Sequence, residues 1–551
     1  MSWVLGLHNS FTATSHDSSA TLVHNGLVIG AIEEERISRK KTSAGNPPSN
    51  AIRELLERNN LKISDIDLCV SDGTTVTNMS RRVSAWLEYE FGYSPKLNLI
   101  PQYRAHTLGS FFSSGWKEAL SISVEGSGDK ISTYVTICRK DSNGLLADQI
   151  VCYEADSTKS LGNFYTMFTQ YLGFEAIEGE YKVMGMSALG NPTYDLSSIL
   201  SFNKNSGDVD SKLPIFQNTL YPISLSEPFF NVKSILKEIK LKPRVPKAEI
   251  LEDHLNLASS VQETFKQAYV GLIQYWVNKT GIKKVCLSGG CALNALANME
   301  LLKLNLEGLY VMPAASDRGV SLGAALWGSN LIGEAPQPVS SMDLGRDFNN
   351  DFIESELKSF NIPLTSTLKI NDTENLVKNA VRDLTKGKII GWFQGRSEFG
   401  PRALGNRSIL ANPRIPGMKS HLNKKIKFRE DYRPFAPAIH ESCFPVEYPR
   451  AIDLTKMTVT IPIHSKYVSN FPEAVHSDGT SRVQLVPDNL SLFSRLLHET
   501  KIQHGHGSLI NTSFNLKGEP IVDSPSDAVR TFYSSGIDTL YIGSFRISKS
   551  D

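Results

Sequence analysis

The run Gly400-Pro401-Arg402-Ala403-Leu404-Gly405-Asn406-Arg407-Ser408 sets two guanidinium groups among glycines and a proline, where neither helix nor strand propensity asks for them. Arginine forks match phosphate and carboxylate oxygens two at a time, and glycine lets backbone N–H groups approach the same oxygens. More cations follow: Lys427, Arg429 and Arg433 lie in the stretch 427–437, and Arg482 closes the loop-like run His476-Ser477-Asp478-Gly479-Thr480-Ser481-Arg482. A solvated basic surface would account for the charges, but it leaves the Pro and Gly frame without a purpose. The chemistry expected is the binding of a small anion.

Other residues suit other chemistry. His106, Asp129 and Asp317 offer one imidazole and two carboxylates, the acids close to glycines in loops after apolar runs. Such a set suits a hard to intermediate divalent cation, although each residue alone reads better as a solvated histidine or an ordinary turn. His16, beside Asp17 in the first loop, has the side-chain type for a general base at neutral pH, with His8 the second choice. Its plain alternative is a hydrogen-bonded loop histidine. Gly289-Gly290 at a strand end would let a nucleotide lie against backbone, with Asn294 reaching a base or ribose, but a Gly-Gly pair is more often a turn. Lys182 is ambiguous by itself. Cys291 has no evident histidine partner, and Ser513 lacks a Gly-x-Ser-x-Gly elbow, so neither reads as a nucleophile.

The elements that would position these groups alternate. Residues 3–7 read as a buried strand, 8–18 as a polar loop, and 20–24 and 27–33 as strands joined by Asn25-Gly26, a type I′ hairpin signal. A helix over 47–60, opening with prolines, and a strand over 67–70 follow. A similar rhythm returns with strands at 284–287 and 309–312 and helices at 292–303 and from 321. Beyond the Pro, Ser and Gly rich run 333–341, a linker signal, strands are expected at 388–393, 457–463, 507–510 and 539–542. Helices are expected near 373–386, 418–425, 490–500 and 526–534. Alternation of this kind implies α/β layers with ligands at the carboxyl ends of the strands. Residues 196–250 are Ser, Asn and Pro rich, and read as an insertion or a surface excursion carrying Lys233, Lys237, Lys240, Lys242, Arg244 and Lys247.

At 551 residues the chain is too long for one ordinary core. A net charge of +1 gives no global attraction for nucleic acid or membrane, so anion binding must come from local clusters. The six cysteines are scattered without zinc spacing, and neither a basic leader nor an apolar run of about 20 residues is present. The expectation is a cytoplasmic protein with reduced thiols.

Together with 511–515 (Asn-Thr-Ser-Phe-Asn) and 518–522 (Gly-Glu-Pro-Ile-Val), the arginine runs resemble the carboxyl-terminal half of the O-carbamoyltransferases related to nodulation and antibiotic-tailoring enzymes. The amino-terminal half agrees: His16-Asp17, Glu34-Glu35-Arg36 followed by Lys41, 180–186 (Glu-Tyr-Lys-Val-Met-Gly-Met), 288–294 (Ser-Gly-Gly-Cys-Ala-Leu-Asn) and 316–319 (Ser-Asp-Arg-Gly) occur in family order. The resemblance implies an α/β fold in two domains. Residues 1–335 would form an actin/Hsp70-like domain, a duplicated RNase H-like unit, with the metal and acceptor site. Residues 336–551 would form a twisted open-sheet α/β domain, like threonylcarbamoyl-adenylate synthase, that binds carbamoyl phosphate and makes carbamoyl adenylate. It further implies ATP, a divalent metal (Fe, Mn or Mg), a hydroxyl acceptor and a place in biosynthesis. The acceptor would be a small alcohol, a sugar or a hydroxymethylated nucleobase of DNA, and a homodimer is allowed.

By the same resemblance His106, Asp129 and Asp317 hold the metal, while Lys182, Gly289, Gly290 and Asn294 lie near adenylate. His16, Arg402 and Lys427 act in catalysis, and Lys41, Arg433, Arg482, Asn511, Thr512 and Ser513 bind substrate. The chain departs from the family pattern in placing Gln102 and Tyr103 where paired histidines are usual, and Glu125 where an aspartate is. Two rival readings remain: a metabolite kinase of the actin fold, and a nucleotide-dependent module without transfer chemistry.

Overall fold

The computed structural model describes residues 2–11, 15–213, 239–362, 367–370, 372–444 and 452–549. The chain divides into two compact units, Met1–Glu34 with Thr42–Ser340, and Glu35–Lys41 with Ser341–Asp551.

The first unit is built on two sheets of the same design. In the first, β1 (Trp3–His8) is flanked by antiparallel β2 (Ser19–His24) and β3 (Leu27–Glu33) on one side, and by parallel β4 (Leu68–Ser71) and β5 (Leu97–Leu99) on the other. In the second, β6 (Glu118–Gly128) takes the place of β1. Antiparallel β7 (Ile131–Lys140) and β8 (Leu146–Asp156) lie on one side of it, with parallel β11 (Lys284–Ser288) and β12 (Gly308–Val311) on the other. This repeated order is the duplicated RNase H-like arrangement of the actin/Hsp70 class. The Asn25-Gly26 turn has both residues at positive φ, as a type I′ hairpin requires. Residues 196–250 contribute a two-stranded hairpin, β9 (Leu200–Asn203) with β10 (Asp208–Ser211). Residues 214–238, with Lys233 and Lys237, lie outside the described residues. Arg244, counted above with a surface charge run, is instead buried: it donates to the Leu172 and Ala248 carbonyls and stacks on Phe174.

The helix Val320–Leu331 packs against β1 and against the helix Gln102–Ser114 through small residues. A Cβ on Gly323 would fall on the Ala105 carbonyl, and one on Gly6 on the Ser321 carbonyl, so both positions demand glycine for space. Ser19 Oγ joins this seam by donating to the Arg318 carbonyl at 2.7 Å.

The second unit has one mixed sheet of eight strands. Its order is β13 (Thr367–Lys369), β22 (Phe545–Ser548), β21 (Thr539–Ile542), β14 (Ile390–Phe393), β15 (Arg407–Ala411), β20 (Ser508–Ser513), β16 (Ala436–His440), β19 (Gln484–Val486). The helices Thr373–Thr385 and Leu492–His504 cover an apolar core that includes Trp392, Leu410, Leu496 and Tyr541. Under it, Asp383 accepts from Tyr541 Oη at 2.8 Å and pairs with Arg546. The strand expected over 457–463 shrinks to β17 (Ile461–Pro462), paired only with β18 (Thr480–Ser481), because Met457 adopts a left-handed conformation that ends extended structure. Among the described residues no helix is long and apolar enough to cross a membrane.

The seam around Gly323 sets the first expected outcome. Gly323→Ala should lower the stability of the first unit by about 2–4 kcal/mol, since the methyl meets backbone that cannot rotate aside. Leu331→Ala, at an exposed position on the same helix, should change it little. Thermal denaturation of both variants checks this, and equal melting would remove the steric argument.

Candidate active sites

In the first unit, the carboxyl ends of parallel strands bring the groups together. His8 ends β1 and Asp72 follows β4 directly, so the parallel pairing of Leu7 with Ser71 places them side by side. His8 Nδ1 lies 2.9 Å from Asp72 Oδ2, and its Nε2 lies 2.9 Å from the His16 carbonyl. Burial works against a charge on His8, but Asp72 and Asp317 outweigh it and raise its pKa to about 10. With both nitrogens engaged, His8 holds the loop and is a poor proton acceptor. His16 differs: its buried Nδ1 has no hydrogen-bond partner, and its Nε2 lies 3.8 Å from Asp317 Oδ2. Burial opposes its charge as well, and the carboxylates of Asp17 and Asp317 overcome that. Asp17, at φ 62°, is fixed by Arg318 at 2.7 Å and by Ser316 at 3.0 Å.

The residues expected to hold a metal come together with one exchange. His106, Glu125 and Asp317 lie together, with His106 Nε2 3.0 Å from Glu125 Oε1 and 3.5 Å from Asp317 Oδ1. Asp129 is elsewhere. It and Lys130 form the left-handed turn between β6 and β7. Its carboxylate accepts from the amides of Thr74, Thr75 and Gln102 and from both threonine hydroxyls. Asp129 therefore braces the amino end of the helix that carries His106, and Glu125 takes the place expected for it. Glu125 Oε1 also accepts from the Gly290 amide at 2.7 Å, so Gly290 positions this carboxylate. Gly289, at φ 88°, packs where a side chain would strike the Val124 carbonyl.

The donor set fits a divalent cation. His106 is 3% exposed, and its Nε2 makes no hydrogen bond despite two carboxylates nearby. Burial disfavours its charge, yet Glu125 and Asp317 raise its pKa to about 9, while Asp317 is brought down to about 2 against its own burial by His106, His16 and His8. A bound cation would supply Lewis acidity at this place.

Asn294 does not extend toward a ligand. Its Oδ1 caps the helix Ala295–Glu300 through the Ala297 amide and pairs with Gln262, which corrects its reading as a nucleotide contact. Lys182 Nζ lies 5.3 Å from the centre of the Phe174 ring. Cys291 is pushed well up by burial and then by Glu125 and Glu180, which leaves no thiolate.

In the second unit the two arginines of the 400–408 run have opposite fates. Arg407 is fully buried on β15: it donates to the carbonyls of Gln394, Gly395, Asn406 and Arg346 and stacks 3.7 Å over Phe393. Burial brings its pKa down to about 10. It is a folding residue, and only Arg402 of the pair belongs to the cationic cluster. Glu398 fixes the loop by accepting the amides of Leu404, Asn406 and Arg407.

The cluster itself comprises Arg402, Arg429, Arg433 and Arg482 with Lys427 and Lys41. Burial, and then Arg402, Arg429 and Arg433, push Arg482 well below its ordinary value. Burial, and then Arg429, Arg433 and Lys41, do the same to Lys427. Lys427 Nζ donates to the Ser513 carbonyl and lies 3.3 Å from Ser513 Oγ, 3.1 Å from the Asn515 carbonyl and 2.8 Å from Asn515 Oδ1, all uncharged oxygens. Asn511 and Ser513 share one face of β20, and Asn511 Oδ1 is buried with no partner. Thr512 falls on the other face by strand alternation, so it does not join them. Arg429 was not assigned a role from sequence, although its position two residues from Lys427 was the available signal.

The family model described as "Carbamoyltransferase N-terminus" matches residues 4–93 and 81–326, and "Carbamoyltransferase C-terminus" matches 381–549. The chain belongs to the carbamoyltransferase family. It is 32% identical to the nodulation protein NolNO of Sinorhizobium fredii over 99% of this chain and 80% of that protein. It is also 32% identical to the 3'-hydroxymethylcephem-O-carbamoyltransferase of Amycolatopsis lactamdurans, over 47% of each chain. The solved structure of T. kodakarensis HypF covers 60% of this chain and 48% of that one at 13% identity with a TM-score of 0.35, a likeness too slight to argue from. The protein is thus an enzyme that transfers carbamoyl groups.

The contrast between the two arginines is testable in the enzyme. Arg407→Ala should cost more than about 3 kcal/mol and lower the melting temperature of the second unit, because several buried carbonyls lose their donor. Arg402→Ala, at a partly exposed position, should melt with the wild type yet bind ATP or inorganic phosphate at least tenfold more weakly. Melting curves and isothermal titration read the two effects separately, and unchanged phosphate and ATP binding in Arg402→Ala would remove it from the site.

Proposed function

We propose that the enzyme is an ATP-dependent O-carbamoyltransferase working through carbamoyl adenylate. The observation that carries this reading is the gathering of Arg402, Arg429, Arg433 and Lys41 around the buried Lys427 and Arg482, whose pKa values are lowered well below the ordinary by burial and then by these neighbouring cations. Carbamoyl phosphate and the triphosphate of ATP are polyanions that repel each other, and a set of buried cations offsets that repulsion. In the second unit, water would cleave carbamoyl phosphate to carbamate and phosphate. A carbamate oxygen would then attack the α-phosphorus of ATP, releasing pyrophosphate and leaving carbamoyl adenylate. Exclusion of water matters, since carbamate decomposes quickly when exposed.

In the first unit, His16 would take the proton of an acceptor hydroxyl as its oxygen attacks the carbamoyl carbon, and AMP would leave. His16 rather than His8 is assigned because only His16 retains a buried ring nitrogen without a partner. The acceptor is an alcohol, in keeping with the hydroxymethyl group in the name of the cephem relative. Release of ADP in place of AMP and pyrophosphate would return the reading to a kinase.

Separate half-reactions give the test. Arg402→Ala and Lys427→Ala should abolish carbamoyl-phosphate-dependent exchange of labelled pyrophosphate into ATP. His16→Asn should retain that exchange within a few-fold while lowering carbamoyl transfer to an alcohol at least a hundredfold. Wild-type exchange rates in Arg402→Ala, or equal loss of both half-reactions in His16→Asn, would overturn the assignment.

A further inference from the structure

Gln102 stands one helical turn before His106 on the helix Gln102–Ser114, so the two side chains project from one face. Its carboxamide ends 2.7 Å from Asp317 Oδ1, the same oxygen that lies 3.5 Å from His106 Nε2. Tyr103, the next residue, points away to pack on Tyr134. Gln102 is itself well anchored: its backbone amide donates to Asp129 at 2.9 Å, and its side chain lies against Gly128, where a Cβ would come within 2.8 Å of Gln102 Cδ. A glycine at the end of β6 is therefore required for the carboxamide to reach Asp317.

We infer that Gln102 is a fourth ligand of the cation held by His106, Glu125 and Asp317, through its carboxamide oxygen, and that the resulting set of one nitrogen and three oxygens is built for a hard divalent cation such as Mn²⁺. The inference rests on the reading that these three residues bind a metal. Two donors about 2.1–2.2 Å from one cation lie about 3 Å apart at a right angle and about 3.5 Å apart at a tetrahedral angle. The separations of 3.0 and 3.5 Å fall in that range, and the 2.7 Å between the Gln102 carboxamide and Asp317 is a hydrogen-bond distance that would open by a few tenths of an ångström around a cation. The buried Nε2 of His106, lacking any hydrogen bond, points to a partner other than the carboxylates themselves. A half-turn of the carboxamide about its last bond exchanges NH₂ for oxygen with no change in shape, so the position that donates to Asp317 also serves a cation. Carboxamide and carboxylate oxygens favour hard cations, whereas imidazole at the same place would favour Zn²⁺.

The test is titration of the chelator-treated full chain with Mn²⁺ and Zn²⁺ by calorimetry, comparing wild type with Gln102→Leu, Gln102→Glu and Gln102→His. The partly exposed position and the retained backbone bond to Asp129 make these variants tolerable, and their melting curves would verify folding. Wild type should bind one Mn²⁺ per chain. Gln102→Leu should bind at least tenfold more weakly, Gln102→Glu at least as tightly as wild type, and Gln102→His should shift the ratio of Zn²⁺ to Mn²⁺ affinity at least tenfold toward Zn²⁺. Weaker Mn²⁺ binding by folded Gln102→Glu would show instead that Gln102 only donates a hydrogen bond to Asp317, and unchanged binding by Gln102→Leu would exclude any contact. No Mn²⁺ binding by wild type would remove the site. The titration contains neither carbamoyl phosphate nor ATP, so it stands or falls apart from pyrophosphate exchange.

Discussion

Parallel strands end at the same edge of a sheet, and the chemistry of the first unit depends on that constraint. His8 at the end of β1 and Asp72 after β4 meet because the two strands run side by side in one direction. Glu125 near the end of β6 meets the Gly290 amide beyond β11 for the same reason. The loop after β12 then delivers Asp317 toward His106, His16 and His8. No local preference of these residues would gather them. The sheet order does so, and the close approach of the helix Val320–Leu331 through Gly323 keeps that loop in place.

Concentrated charge is the second theme, with opposite sign in the two units. Around Asp317, carboxylates gather and raise the pKa values of three buried histidines against the effect of burial, a shift that a bound cation would oppose. Around Arg482 and Lys427, burial and then the neighbouring cations lower the pKa of both. Each arrangement is unfavourable by itself in a buried setting, and each is held by neutral hydrogen bonds: the amides that Asp129 and Glu398 accept, and the carbonyls and amide oxygens that Lys427 donates to. Strain of this kind is relieved by a ligand of opposite charge. A cation in one place and phosphate oxygens in the other would be complementary partners.

How far the sequence reached varies with the range of the determining interaction. The Asn25-Gly26 hairpin and the helix after Pro47-Pro48 were legible, since their signals are local. So were the helices over Thr373–Thr385 and Pro525–Tyr533. The long meander of β6, β7 and β8 and the helix Glu252–Thr280 received no firm reading, because nothing local marks how far such elements extend. Arg402 and Arg407 have the same side chain in the same glycine-framed run, yet one joins a cluster of cations and the other engages four carbonyls and a phenylalanine ring. Asp129 and Glu125 are four residues apart, and only the left-handed turn at Asp129 and Lys130 sends the aspartate toward Thr74 while the glutamate faces His106.

Residue types, their order along the chain and the likeness to a family were determined by the sequence alone: two α/β units, a cationic cluster in the second, and histidine with carboxylates in the first. The tertiary structure decided which of several chemically equal residues come together. It exchanged Glu125 for Asp129, made Arg407 and Asn294 structural, committed both nitrogens of His8 while leaving one on His16, and brought Gln102 to Asp317. The physical reason is that a side chain's chemistry depends on what its polar atoms already bond and how deeply it is buried. Both are properties of contacts between residues as distant as 102 and 317, which no local pattern encodes.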